Sequence, residues 1–243
     1  GLPRADAGHY TLTAHSDASH SITARTVGLS ASKIYDGTTD LTGGVTIVTG
    51  VGSETLTYTR ATASSARVAA AGKFINAITL GNASDSSGGL ASNYALPALD
   101  ANTAAVTISA ATLTPSLSIT GVTKVYDGNT SSSLTPSYSF AGLVAGDTDA
   151  ALAHTSVAYN DEDVADANTV TVSGLSIIGI TGSVGSVASD YVLDATSKDV
   201  AASITARTLS VSYTGVSRIY NGSASATVIT NDDRVGSDVI NIA

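Results

Sequence analysis

The chain has 243 residues and carries 11 basic against 20 acidic side chains, a formal net charge of −9 with no Cys, Met or Trp. The missing cysteines exclude disulfides, thiolate catalysis and cysteine-based metal sites, and the acidic balance argues against a nucleic-acid partner, because phosphate binding draws on Lys and Arg. Ser and Thr together exceed a quarter of the chain, and Ala, Val, Ile, Leu and ten Tyr are left to do the packing; β-branched and aromatic side chains pack better on a pleated surface than on a helix, so strands are predicted throughout.

In chain order, the first landmark is "GHYTL" at 8–12, followed by the extended "SITARTV" at 21–27. Both recur. "SNYAL" (92–96) is followed by "TISAATL" (107–113), and "SDYVL" (189–193) by "SITARTL" (203–209). A third landmark interleaves with them: "KIYDG" at 33–37, "KVYDG" at 124–128 and "RIYNG" at 218–222. A catalytic motif is needed once per site, whereas a structural motif is needed once per structural unit, so a repeated landmark in fixed order marks a repeat architecture. The order divides the chain into the tail of one module (1–25), two complete modules (26–111 and 112–207) and the start of another (208–243).

Within the first module, Tyr35-Asp36-Gly37 is predicted to be a two-residue hairpin turn of type I′, which needs positive φ at both central residues. The Tyr ring is expected over a half-buried sheet with its hydroxyl in water. The following "ETLTYTRATASSARVAAAGKFINAITLG" reads as a hairpin with Arg60 and Arg67 at its tip, and the Ala-rich stretch 63–78 leaves room for a short helix.

The second module repeats the turn at Tyr126-Asp127-Gly128. In "HTSVAYNDEDVADANTVTVSGLSIIG", Val157 and Tyr159 alternate into a polar tip, and Val170 and Val172 alternate out of it. That tip packs Asp161, Glu162, Asp163 and Asp166 together. Ca²⁺ takes six to eight oxygen ligands, so these four carboxylates, with Asp147 or Asp149, form a weak candidate Ca²⁺ site. A solvated tip that keeps the chain soluble is the plainer reading. The first module carries Arg where the second carries acids, which argues against one shared ligand site. Between Lys124 and Lys198 there is no Lys or Arg. The third Tyr-Asx-Gly, Tyr220-Asn221-Gly222, follows "TLSVSYTGVS", whose Leu209, Val211 and Tyr213 fall on one strand face. No Gly/Ser or Pro linker separates the modules, and the strand across each boundary is expected to be continuous, giving stiff junctions.

There is no Gly-x-Ser-x-Gly and no phosphate loop. The four histidines, His9, His15, His20 and His154, read as exposed positions; a zinc site from His15 and His20 lacks a third ligand nearby. No enzyme, no catalytic residue and no bound cofactor is expected. No run approaches the roughly 20 apolar residues that span a bilayer, so membrane insertion is not expected either.

"KIYDGTT" with a following hairpin, then "TVTVSGLSI", "SNYAL" and "SITARTL", resembles the YDG modules, related to MBG modules, of very large bacterial haemagglutinin-like surface adhesins, many of them similar to two-partner-secretion substrates. The resemblance runs over essentially the whole chain. It implies secreted, extracellular, β-rich spacer units repeated many times at the bacterial cell surface, with adhesion residing elsewhere. It departs at Asn221, so the Asp is not essential, and at Arg218, which stands where Lys33 and Lys124 stand and which could not form an isopeptide bond. The expected fold is all-β, or β-rich α+β: tandem small modules in line, β-grasp-like or immunoglobulin-like. Three functions follow as expectations. The first is a structural stalk repeat supporting cell attachment or biofilm. The second is a subunit of an extracellular filament assembled by strand exchange between incomplete modules. The third is a Ca²⁺- or carbohydrate-binding adhesin module. The partners implied are further copies of the same module.

Overall fold

The structure, a computed structural model, describes residues 20–241. It is all-β. The strands are β1 (Arg25–Thr26), β2 (Gly28–Ile34), β3 (Val45–Val48), β4 (Thr57–Ala63), β5 (Ile75–Gly81), β6 (Tyr94–Ala95), β7 (Val106–Ser109), β8 (Ala111–Ser118), β9 (Thr123–Val125) and β10 (Ser137–Ala141). They continue as β11 (Asp147–Ala153), β12 (Ser156–Tyr159), β13 (Thr169–Ser173), β14 (Ser176–Gly182), β15 (Tyr191–Leu193), β16 (Ser197–Ala201), β17 (Ser203–Thr205), β18 (Val211–Val216) and β19 (Thr227–Asp232). Single 3-10 turns at Ala91–Asn93 and Ala188–Asp190 precede Tyr94 and Tyr191, the tyrosines of the two described "x-Tyr-x-Leu" landmarks. No helix among the described residues is long and apolar enough to cross a membrane.

Contacts divide the chain into two compact units. The first holds residues 20–31, Asp40–Ala63 and Gly72–Val106; the second holds Ser32–Thr39, Ser64–Ala71 and 107–241. The Tyr35 loop and the tip of the β4–β5 hairpin, placed by sequence in the first module, therefore pack with the second unit.

In the first unit, strand alternation sets the core. β2 buries Leu29 and Ala31 and turns Ser30 outward, and it pairs antiparallel with β3 from Gly28↔Val48 to Ala31↔Val45. β4 and β5 form an antiparallel hairpin with register shifts between Thr59 and Ala63. Val27, Leu41, Ile75 and Ala104 are almost wholly buried. β1 pairs in parallel with β6.

The second unit repeats these relations. β15 pairs in parallel with β8, β11 pairs antiparallel with β14, and β12–β13 form the expected hairpin, with Val157↔Val172 and Tyr159↔Val170 in register. β13 alternates strictly, burying Val170 and Val172 completely. These two pack with Ile119, Tyr159, Leu175 and Ile204 in one apolar cluster. Burying a side chain of this size contributes about 1.5 to 3 kcal/mol. β18 and β19 form a hairpin of their own.

Three expectations are corrected. Residues 63–78 hold no helix: β4 ends at Ala63, a turn follows, and β5 begins at Ile75. The segment between the strands, 64–74, is too short to be helical alone, and its backbone donors are engaged elsewhere, Arg67 N–H on Ser65 Oγ and Val68 N–H on Asp190 Oδ1. Arg60 is not at the hairpin tip but within β4, at the register shift, with φ +54°. The strand in "SITARTL" stops at Thr205, because its parallel partner β9 is only three residues long.

Candidate functional site

The Tyr-Asx-Gly landmark does not form a two-residue hairpin. Positive φ falls on the glycine alone (Gly37 +81°, Gly128 +72°, Gly222 +82°) and not on the residue before it, whereas type I′ needs it at both. The β2–β3 pairing ends at Ala31↔Val45, well before this loop closes. The Asx side chain instead caps its own loop. Asp36 Oδ1 accepts the Thr38 N–H at 2.9 Å, Asp127 Oδ1 the Asn129 N–H at 3.3 Å, and Asn221 Oδ1 the Ser223 N–H at 3.2 Å. This Asx turn needs one acceptor oxygen, which Asn supplies as well as Asp, so Asn221 is explained.

The cation three residues earlier clips the same loop. Lys33 Nζ lies 2.6 Å from Asp36 and donates to Thr38 O. Lys124 Nζ lies 2.6 Å from Asp127 and donates to Asn129 O. Arg218 donates to Asn221 Oδ1 and Ser223 O. A donor to one side chain and one carbonyl is all that the position requires, so Lys and Arg interchange. Lys124 also stands over the Tyr159 ring, 5.1 Å from its centroid. The ammonium of Lys124, partly opposed by desolvation, holds the Asp127 carboxyl below its ordinary range. At Asp36 burial pushes the carboxyl up, but Lys33 and the Thr38 donors outweigh it, and the net direction is down.

Tyr35, 2% exposed, is the centre of the most elaborate polar site. Its hydroxyl is 2.6 Å from Ser186 Oγ and accepts from Arg67 Nη1 at 2.7 Å, so it does not reach water as expected. The same guanidinium donates to Asp190 Oδ2 at 2.9 Å and, through Nη2, to Val184 O at 2.9 Å. Asp190 is fully buried, and its carboxylate also accepts Val68 N–H at 2.9 Å and Val187 N–H at 3.0 Å. A buried charge is tolerable only when paired and hydrogen-bonded, and Asp190 is both. Burial opposes the charge on Arg67, but Asp190 and Tyr35 outweigh it and raise its pKa. The Tyr191 ring meets Tyr35 edge-on, with centroids 5.7 Å apart and planes at 75°. Its hydroxyl donates to Asp147 Oδ2 at 2.5 Å and accepts Val144 N–H at 3.0 Å. Burial, then the Asp147 carboxylate, push the Tyr191 hydroxyl up to about 12. This is a clasp: every member is engaged with another.

Sequence reading missed a fourth landmark. Val51-Gly52-Ser53-Glu54, Val144-Ala145-Gly146-Asp147 and Val235-Gly236-Ser237-Asp238 each close a turn, the acid N–H donating to the Val carbonyl at 3.0, 3.0 and 3.1 Å. The acid then receives a Tyr hydroxyl. Tyr94 donates to Glu54 at 2.6 Å, as Tyr191 does to Asp147, and Tyr126 donates to Asp238 at 3.3 Å. The signal was present as a Val with an acid three residues on and a Gly between them, at Val51, Val144 and Val235, once after each Tyr-Asx-Gly. Tyr220, in the third motif, is 88% exposed.

The acidic tip does not gather a ligand set. Asp161 Oδ1 caps Asp163 N–H at 2.9 Å. Glu162, Asp163 and Asp166 are exposed. Asp147 is turned to Tyr191, and Asp149 caps Ala150 N–H. Among the described residues, no group of three or more His, Asp or Glu is placed to hold a metal ion. His20 and His154 are exposed; His9, His15 and the "GHYTL" landmark lie outside the described residues.

Residues 109–198 match the YDG domain. No curated protein and no solved structure matches the chain.

Proposed function

We propose that the chain is a spacer segment of a secreted, surface-displayed bacterial adhesin: modules of YDG type follow one another in line and hold a distal attachment region away from the cell. The observation that carries this reading is the Tyr35 clasp. It fastens the Tyr-Asx-Gly loop and hairpin tip belonging to the first sequence repeat onto Val184, Ser186 and Asp190 of the second. A clasp built from a buried ion pair and two tyrosines resists bending where a Gly/Ser linker would give way. The extracellular placement rests on the resemblance of the repeated motifs and on a chain without cysteine.

A passive spacer needs no ligand. Its melting temperature is expected to be the same in EDTA and in millimolar Ca²⁺. A rise in Ca²⁺ that disappears in the Asp161→Ala, Asp163→Ala double variant would replace the spacer reading with that of a Ca²⁺-binding module.

A further inference from the structure

The third Tyr-Asx-Gly loop differs from the other two in its acceptor: Asn221 carries a carboxamide where Asp36 and Asp127 carry carboxylates. Of the asparagines in the chain, Asn221 alone is followed by glycine. That pairing bears a chemistry of its own. A backbone nitrogen can attack the side-chain carbonyl of the residue before it, and glycine, without a Cβ, leaves that nitrogen open to approach.

The loop favours the attack. Asn221 Oδ1 accepts Ser223 N–H at 3.2 Å and is also gripped by Arg218 Nη1. The Asx turn folds the side-chain carbonyl back along the Gly222 backbone, which brings Cγ towards the Gly222 nitrogen. Two donors, one of them a cation, converge on the oxygen where negative charge develops when that carbonyl is attacked, as in an oxyanion hole. Neither the nucleophile nor the leaving group is tied up. Among the described residues, Gly222 N–H and Asn221 Nδ2 have no hydrogen-bond partner, and the Gly37 and Gly128 N–H groups of the other two loops have none either. Water reaches the position in the complete loops too: the Asp36 and Asp127 side chains are 52% and 47% exposed, although Tyr35 is buried.

We infer that Asn221 is a site of spontaneous deamidation, carried out by the chain's own Gly222 and assisted by Arg218. The Gly222 nitrogen bonds to Asn221 Cγ and gives its proton to solvent. The Cγ–Nδ2 bond breaks, and the amide nitrogen takes a proton from solvent and leaves as ammonia. Water then opens the resulting succinimide ring. Opening at the former side-chain carbonyl restores the ordinary backbone with an aspartate at 221; opening at the backbone carbonyl leaves an isoaspartyl linkage. The balance is amide plus water to acid plus ammonia, with no oxidant or cofactor.

The two products act oppositely on the loop. The aspartyl form has the acceptor of the other two copies. Its carboxylate faces Arg218 as Asp36 faces Lys33 and Asp127 faces Lys124, each at 2.6 Å, and a charge-assisted hydrogen bond replaces a neutral acceptor. The isoaspartyl form routes the backbone through the side-chain carbon, and the cap on Ser223 N–H is lost.

Incubation of the intact chain in neutral buffer, with peptide mapping by mass spectrometry, tests this. The Asn221→Asp variant marks the aspartyl product. Residue 221 converts faster than any other asparagine. Asn129 is the closest control, because its Oδ1 caps Ser131 N–H at 3.0 Å in the same way but threonine follows it. Arg218→Ala slows conversion about tenfold, less than one oxyanion donor contributes in a closed active site, because this position is open to water. Arg218→Lys, which supplies the cation that clips the other two loops, keeps the parent rate. An Asn221 that stays an amide, or converts no faster than Asn129, would overturn the inference. So would an Arg218→Ala chain as fast as the parent, or an Arg218→Lys chain as slow as Arg218→Ala.

Discussion

At the scale of single residues, Arg67 and Asp190 show how little of a site lies in any one stretch of sequence. They are separated by 123 positions, and neither sits in a motif that draws attention. The contrast between a basic tip (Arg67) and an acidic one (Asp163) was legible, but it read as two sites without common purpose. The structure shows equivalent positions turned to opposite charge. The Tyr-Asx-Gly turn was legible as a turn and misjudged in type, because an Asp that tolerates positive φ and an Asp that caps its own loop look identical in sequence. Arg67→Ala leaves the Asp190 charge buried with only backbone donors. The cost is about 2 to 3 kcal/mol, at or below the low end for a broken buried pair, because a third of the Arg67 side chain is exposed. Urea unfolding followed by circular dichroism reads it; a variant as stable as the parent would show the pair to be dispensable.

At the scale of elements, the period-2 pattern was the reliable guide. Val157/Tyr159 and Val170/Val172 fell where the alternation placed them, because one face of that hairpin must be buried. The Ala-rich stretch after Ala63 misled because alanine's helix preference is weak, and tertiary hydrogen bonds to Asp190 and Ser65 override it. The β18–β19 hairpin carries a prediction of its own. Arg234, opposed by desolvation, holds the Asp232 carboxyl down from 3.8 to about 2. A carboxyl whose folded pKa is depressed stabilises the fold above its unfolded value and loses that contribution as pH falls through the folded one. Asp232 therefore supports the hairpin fully above about pH 4 and releases it towards pH 2. Carboxyl-carbon NMR titration will place Asp232 near 2, and Arg234→Ala will return it towards 3.8. An Asp232 that titrates at the ordinary value in the parent chain contradicts the pairing.

At the scale of the whole molecule, the recurrence of landmarks divided the chain by sequence alone, and residues 109–198 match the YDG domain. What the repeat could not show is that 32–39 and 64–71 pack with the later unit. A boundary drawn by sequence similarity assigns each residue to the copy it resembles, whereas packing assigns it to the surface it buries. If the proposed spacer is right, the Tyr35 clasp is what stiffens it. The most direct measurement is small-angle X-ray scattering of the dilute, monomeric chain, compared with Arg67→Ala. The account predicts the profile of a stiff particle for the parent, and a shift towards a flexible profile in the variant. A parent chain that already scatters as flexibly joined units, or a variant indistinguishable from a stiff parent, would contradict it.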